Sequence, residues 1–232
     1  MMKPIHRLPV FLFAVLSFSC LKSQEVSDYQ WIGFQLNETI GDLSISYQQQ
    51  IRPRYGFAIL DEYFNQIGFR QKFNNKVAAG IDYRWSIKDP LRDWETGHRF
   101  NLDVQLRQKA GDFRIVYRPR IQARFSRGNL PQAIQSVWYD RHKFTFQYDL
   151  TKRFSPYLSY EMFHPWNPAA LHRMDRQRFM LGADLDMKNR HGFNLFYYLE
   201  LNMTSPERAQ IHALGLIYNY ELKLLGKRKK NQ

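Results

Sequence analysis

Hydrophobic and polar residues alternate with a period of two along most of this chain. The cleanest run is Val77 to Ile87: Val77, Ala79, Ile81, Tyr83, Trp85 and Ile87 on one face, Ala78, Gly80, Asp82, Arg84 and Ser86 on the other. That period marks a strand with one apolar and one polar face. Ten such runs follow one another from Leu43 onward, and the later ones carry Phe144 to Leu150, Pro156 to Phe163, Phe179 to Met187, Phe193 to Leu201 and Leu214 to Leu224. Most are about as long as a tilted strand needs to cross a bilayer, ~9–11 residues.

Phe100 to Phe125 supplies the fourth and fifth runs, joined at Ala110-Gly111. Pairing them about that two-residue turn sets Arg107 opposite Arg114, Asp103 opposite Arg118 and Asn101 opposite Arg120. The other face then joins Leu106 to Ile115, Val104 to Tyr117 and Phe100 to Ile121. A slip of one residue would scramble both faces. The polar face carries an arginine ladder: Arg114, Arg118, Arg120 and Arg124.

The connections alternate in length. Asn74 to Lys76, Ala110-Gly111, Lys152 to Ser155 and Lys188 to His191 are tight, whereas Arg52 to Ala58, Lys88 to Gly97, Arg127 to Tyr139, His164 to Arg173 and Met203 to Gln210 are longer. Short turns on one rim and long loops on the other describe an outer-membrane barrel. The predicted fold is therefore all-β: an antiparallel up-and-down transmembrane β-barrel of ten strands, with short periplasmic turns and longer extracellular loops. Ten strands place both termini on the short-turn rim. One further run, Asp28 to Asn37, also alternates. Counting it gives eleven, and because single-chain bacterial barrels are usually even, it reads either as half of an extra pair, giving twelve, or as a partial strand at the seam.

Composition fits a lumen better than a soluble core. Mean hydropathy is -0.55 while aromatics reach 16%, as expected when half of each spanning strand faces a polar interior. A secreted soluble barrel or sandwich is the competing fold; it predicts shorter runs and no rim asymmetry. The net charge of +13 would ordinarily point to nucleic acid or an anionic surface. Here the arginines sit on strands at spacing two, and the only dense basic run is Lys227 to Lys230. No nucleic-acid partner or cofactor is expected.

Residues 1–24 read as a secretory signal peptide: basic Lys3 and Arg7, apolar Val10 to Leu16, then a small and polar stretch. Cys20, the only cysteine, excludes an internal disulfide; bulky Phe18 beside it disfavours a lipoprotein signal. Residues 25–226 form one barrel domain and 227–232 a basic tail.

A charge on the lipid face at midplane costs ~2–4 kcal/mol, so the strand arginines must point inward. The predicted lumen-lining charges are Arg84, Arg99, Asp103, Arg107, Arg114, Arg118, Arg120, Arg124, Glu161 and Arg178. They can fill the barrel as arginine–carboxylate pairs or select anions at a constriction. His98, His142, His164, His172 and His212 map to the long-loop rim, where Ser159, Glu161 and His164 lie close in sequence. Without HExxH, Gly-x-Ser-x-Gly or paired cysteines, no catalytic or metal-ligating residue is assigned. Trp94, Trp138 and Trp166 sit in or beside the long loops.

Several segments resemble the exported bacterial family known as domain of unknown function 2490. They are Trp31-Ile32-Gly33-Phe34-Gln35-Leu36, Tyr47-Gln48-Gln49-Gln50-Ile51-Arg52, Tyr83-Arg84-Trp85, Glu95-Thr96-Gly97-His98-Arg99, Tyr117-Arg118-Pro119-Arg120, Pro156 to Phe163 and Arg178-Phe179-Met180-Leu181-Gly182. The resemblance spans most of the mature chain and implies an outer-membrane-type barrel with no established catalytic residues. The chain continues past Tyr220 through Gly226 to Gln232, unlike outer-membrane strands that end the chain on an aromatic residue. The expected role is an outer-membrane barrel, structural or a narrow anion-preferring pore, with the lipid bilayer and the barrel-assembly machinery as its partners. A surface ligand-binding barrel is the next reading, and a lipid hydrolase follows.

Overall fold

The computed structural model describes residues 26–88, 95–127, 134–166, 174–204 and 210–223. The expected signal peptide, Cys20, Trp94, His172 and the basic tail lie outside the described residues. Eleven strands form one closed sheet: β1 (Val26–Ile40), β2 (Leu43–Arg54), β3 (Ile59–Lys72), β4 (Val77–Lys88), β5 (Glu95–Ala110), β6 (Phe113–Arg127), β7 (Ile134–Tyr148), β8 (Phe154–Pro165), β9 (Arg176–Asp186), β10 (His191–Asn202) and β11 (Gln210–Glu221). Each strand pairs antiparallel with the next, and β1 closes the ring against β11. The one described helix is a 3-10 turn, Lys188–Arg190.

The strand count corrects the expected ten. Asp28 to Asn37 is a full wall strand, not half of an extra pair or a partial seam strand. An odd number of up-and-down strands leaves the first and last running in the same direction, so the seam is parallel. It runs unbroken from Val26 opposite Gln210 to Asn37 opposite Glu221, and the Leu222 N–H donates to the Asn37 carbonyl 2.6 Å away just beyond it. The preference for even numbers reflects barrels closed by an antiparallel pair; here parallel hydrogen bonding satisfies both edges. The expectation for the termini changes with it: β1 starts beside the start of β11 at the long-connection rim, while β11 ends at the short-turn rim.

The central hairpin is also shifted. Its turn is Gly111-Asp112, with Ala110 opposite Phe113, Asp103 opposite Arg120 and Arg107 opposite Val116. Relative to a turn at Ala110-Gly111 the register moves by two, so both faces survive and every partner changes. The backbone explains the choice. Gly111 has φ +61°, as does Gly41 (φ +62°) in the matching Gly41-Asp42 turn between β1 and β2. A left-handed first turn residue is what a tight hairpin with the natural strand twist needs, and glycine adopts it without steric cost.

The wall is apolar outside and charged inside. Leu102 is 57% exposed and its chain neighbour Asp103 is 2% exposed. Phe69, Ile81, Ile115, Phe146, Leu158, Leu181, Leu195 and Leu214 extend the exposed apolar belt around the barrel, while Glu62, Arg84, Arg120, Arg141, Glu161 and Glu200 are buried. A water-soluble fold sorts its residues the other way.

The lumen as candidate functional site

Period-two alternation decides which side chains enter the lumen, and the register decides which meet. One lateral row crosses β6 to β10: Arg118 beside Lys143, Lys143 beside Glu161, Glu161 beside Arg178, Arg178 beside Glu200. Glu161 lies 2.7 Å from Arg141, 3.5 Å from Arg178 and 3.9 Å from Arg118. Glu200 accepts from Arg178 at 2.5 Å. Asp103 accepts from Arg120 at 2.5 Å and from Arg70 at 3.1 Å, while Asp82 lies 3.1 Å from Arg120 and accepts from Asn101 at 2.5 Å. Charge-assisted hydrogen bonds to ionised partners are the stronger kind; here most tie neighbouring strands, while the pairs Arg70–Asp103, Arg118–Glu161 and Arg120–Asp82 link strands two apart.

A cavity of about 750 Å³ occupies this interior. Eight predicted lumen residues line it: Arg84, Arg99, Arg107, Arg118, Arg120, Arg124, Glu161 and Arg178. Asp103 is buried against the arginines. Arg114 lies elsewhere, in a second cavity of about 480 Å³ at the short-turn rim: as the second residue of β6 it faces Lys109 on β5 and lies 3.1 Å from Asp149. Arg52, Arg70, Lys88, Arg141, Lys143 and Arg176 complete the basic lining of the large cavity. Among the described residues, thirteen basic side chains thus face five lining carboxylates, or six with Asp103, a surplus of seven positive charges.

Inward-facing aromatics were not foreseen among the lumen residues. Phe163 is 2% exposed and packs under the guanidinia of Arg141 (4.4 Å), Arg176 (4.8 Å) and Arg178 (5.0 Å). Phe64 sits 3.4 Å from Arg84, and Trp31 sits 3.9 Å from Arg52. Ring faces attract cations, so these rings hold arginines without neutralising them. Trp31, Phe196, Tyr198 and Ala213 form a small apolar wall beside the seam. The strand phase carried the signal: Trp31 alternates with Ile32, and Phe163 follows Glu161 by two residues.

At the short-turn rim Asp149 accepts from Ser155 at 3.1 Å and lies 3.1 Å from Arg114 and 3.4 Å from Lys109. Burial pushes its carboxyl up, but the Ser155 hydroxyl and the two cations outweigh that and hold it below the usual carboxylate range.

The described histidines face outward. Tyr83 bonds His98 at 2.7 Å, Tyr117 bonds His142 at 2.8 Å, and Tyr197 bonds His212. Alternation puts His164 on the opposite face of β8 from Ser159 and Glu161, so these three do not converge. Among the described residues no three His, Cys, Asp or Glu side chains gather as metal ligands would. Trp138 and Trp166 stack 5.7 Å apart at the long-connection rim.

No curated protein matches the sequence. Two solved structures show similarity to this chain. A bacterial polysaccharide outer membrane secretin gives a TM-score of 0.49 at 11% identity, covering 76% of this chain and 63% of the secretin, so this chain spans less than two thirds of that protein's length. The beta domain of the Bordetella autotransporter Brka gives a TM-score of 0.45 at 8% identity, covering 78% of this chain and 82% of that domain. Residues 30–210 match the family described as protein of unknown function, DUF2490, and since they make up most of the chain, the chain belongs to that family.

Proposed function

We propose that this protein spans a bacterial outer membrane and that its lumen admits small anionic solutes in preference to cations. The membrane reading is supported by the exposed apolar belt, by closure of the sheet without a free edge and by the export signal read in residues 1–24. Insertion through the barrel-assembly machinery fits the same reading. The observation that carries the anion preference is the surplus of seven positive charges around the 750 Å³ cavity. Low-dielectric walls concentrate such a field, and rings of arginine favour anions over cations. The reading assigns no catalysis.

The test is a planar-bilayer recording of the purified protein across a potassium chloride gradient. The reversal potential should lie on the chloride side of zero. A cation-selective trace would overturn the anion preference, and an electrically silent barrel would make the lumen a plug held by its ion pairs.

A further inference from the structure

Three arginines stand in register across adjacent strands: Arg84 on β4 faces Arg99 on β5, and Arg99 faces Arg124 on β6. Cross-strand partners lie about 5 Å apart at Cα, so one small ligand can touch all three. All three line the large cavity. This row differs from the rest of the lumen in its partners. Among the described residues none of the three makes an ion pair with a carboxylate, although Arg118, Arg120, Arg141 and Arg178 all do. Arg84 donates to the neutral Gln66 at 2.8 Å and lies over Phe64. The Nε of Arg99 is buried with no hydrogen-bond partner. Glu62, and Asp82 two residues before Arg84, are the nearby acids, but Glu62 contacts Arg52 at 2.6 Å and Asp82 contacts Arg120 at 3.1 Å.

Like charges at this spacing repel, and a buried donor left unmade is costly. Both conditions are met by the same complement, a multiply charged acceptor. A monovalent carboxylate has two oxygens and one charge, enough for one arginine fork. A compact tetrahedral oxyanion offers more oxygens and more charge, and can meet three forks. We infer that the row Arg84, Arg99 and Arg124 is a binding site for a polyvalent oxyanion of the phosphate or sulfate class. This rests on the anion-admitting reading of the lumen and adds a specific resting place within it.

The experiment is calorimetric titration of the full chain, folded in detergent, with inorganic phosphate and separately with acetate. Folding is checked by the gel shift between unheated and boiled samples. Phosphate should bind at least about tenfold tighter than acetate, and Arg99→Gln should weaken phosphate by about tenfold or more, the loss of one charge-assisted hydrogen bond. Arg124→Lys keeps the charge but loses the planar fork and should weaken phosphate as well. Lys109→Gln, which removes one charge at the opposite rim, should leave phosphate binding unchanged. Equal affinity for phosphate and acetate would overturn the site, as would equal losses in Arg99→Gln and Lys109→Gln. If the arginine variants do not fold, the wild-type ratio of the two affinities decides. Phosphate binding without chloride-selective conductance would keep the site and remove the passage reading; selective conductance without phosphate preference would do the reverse.

Discussion

Asp103 and Arg120 face one another across β5 and β6, and a single carboxylate oxygen of Asp103 accepts from both Nε (3.1 Å) and Nη2 (2.5 Å) of Arg120. Arg120 also lies 3.1 Å from Asp82 on β4. One guanidinium thus holds two buried acids and binds three consecutive strands through their interior side chains.

Arg120→Met should therefore be among the most damaging lumen substitutions. It leaves Asp82 and Asp103 buried with a charge deficit, and breaking a buried pair on one side costs about 3–5 kcal/mol. Lys109→Met, at a solvent-exposed pair with Asp149, should cost about 0–1 kcal/mol. Urea unfolding from lipid vesicles, followed by tryptophan fluorescence, compares the two. Similar losses would show that the lumen network is not what stabilises the barrel.

The Asp103–Arg120 pair also marks how far the sequence could be read. Alternation alone placed Asp103 and all four ladder arginines on the polar face, because a period of two survives any even shift. For the same reason it could not choose between Arg118 and Arg120 as the partner of Asp103. That choice belongs to the turn, where Gly111 takes the left-handed first position. The eleventh strand was visible as the alternation of Asp28 to Asn37, but whether it joined the wall depended on β11, more than 170 residues away in sequence. No local pattern encodes a parallel seam. Inward rings such as Phe163 were legible in phase, yet apolar residues on a charged face are explained only once Arg141, Arg176 and Arg178 are seen stacked around the ring.

Leu102 tests the membrane reading directly. It sits in the exposed apolar belt, 57% exposed, next to the most buried part of the lumen. In a bilayer Leu102→Arg should cost about 2–4 kcal/mol if the site lies near midplane. In a water-soluble barrel an exposed leucine tolerates arginine within about 0.5 kcal/mol. Unfolding free energies from vesicles, or the temperature at which the unboiled gel form is lost, separate the two outcomes.

The ring of Phe196 covers Gly215 on the neighbouring strand β11, so closely that any Cβ on Gly215 would collide with it. Gly215→Ala should destabilise by about 1–3 kcal/mol through overpacking. Phe196→Ala makes room, so in the double variant the alanine at position 215 should cost little beyond the loss of the ring. A double-mutant cycle reads this coupling. Additive losses would mean the ring turns away freely and the close approach is not enforced.

Acid should weaken the short-turn rim through Asp149. Its carboxyl is held below the usual range by Ser155, Arg114 and Lys109, so its unfolded-state value, about 3.9, is the higher one. A depressed folded value stabilises above the unfolded value, and the benefit fades as pH falls through the folded value. Asp149→Asn should be less stable than the wild type at pH 7, by no more than about 1 kcal/mol for so solvated a pair. The difference should shrink as pH drops below about 4 and vanish in stronger acid. A difference that grows on acidification would reverse the assigned sign.

The parallel seam can be tested by covalent closure. Leu36 on β1 lies directly opposite Tyr220 on β11, and alternation turns both side chains outward. Neighbouring strands stand ~4.8 Å apart, within the ~4.4–6.8 Å that a disulfide spans between Cα atoms. Cys20 is the only native cysteine, so replacing it with serine leaves Leu36→Cys and Tyr220→Cys as the sole thiols. Mild oxidation of the folded protein should join them, and the boiled, unreduced chain should then run faster on a denaturing gel than the reduced one. Leu36→Cys with Leu214→Cys should stay open, because Leu214 pairs with Gln30, six residues along β1. If the second pair cross-links as readily as the first, the register of the seam is wrong; if neither does, β1 is not the strand that closes the barrel.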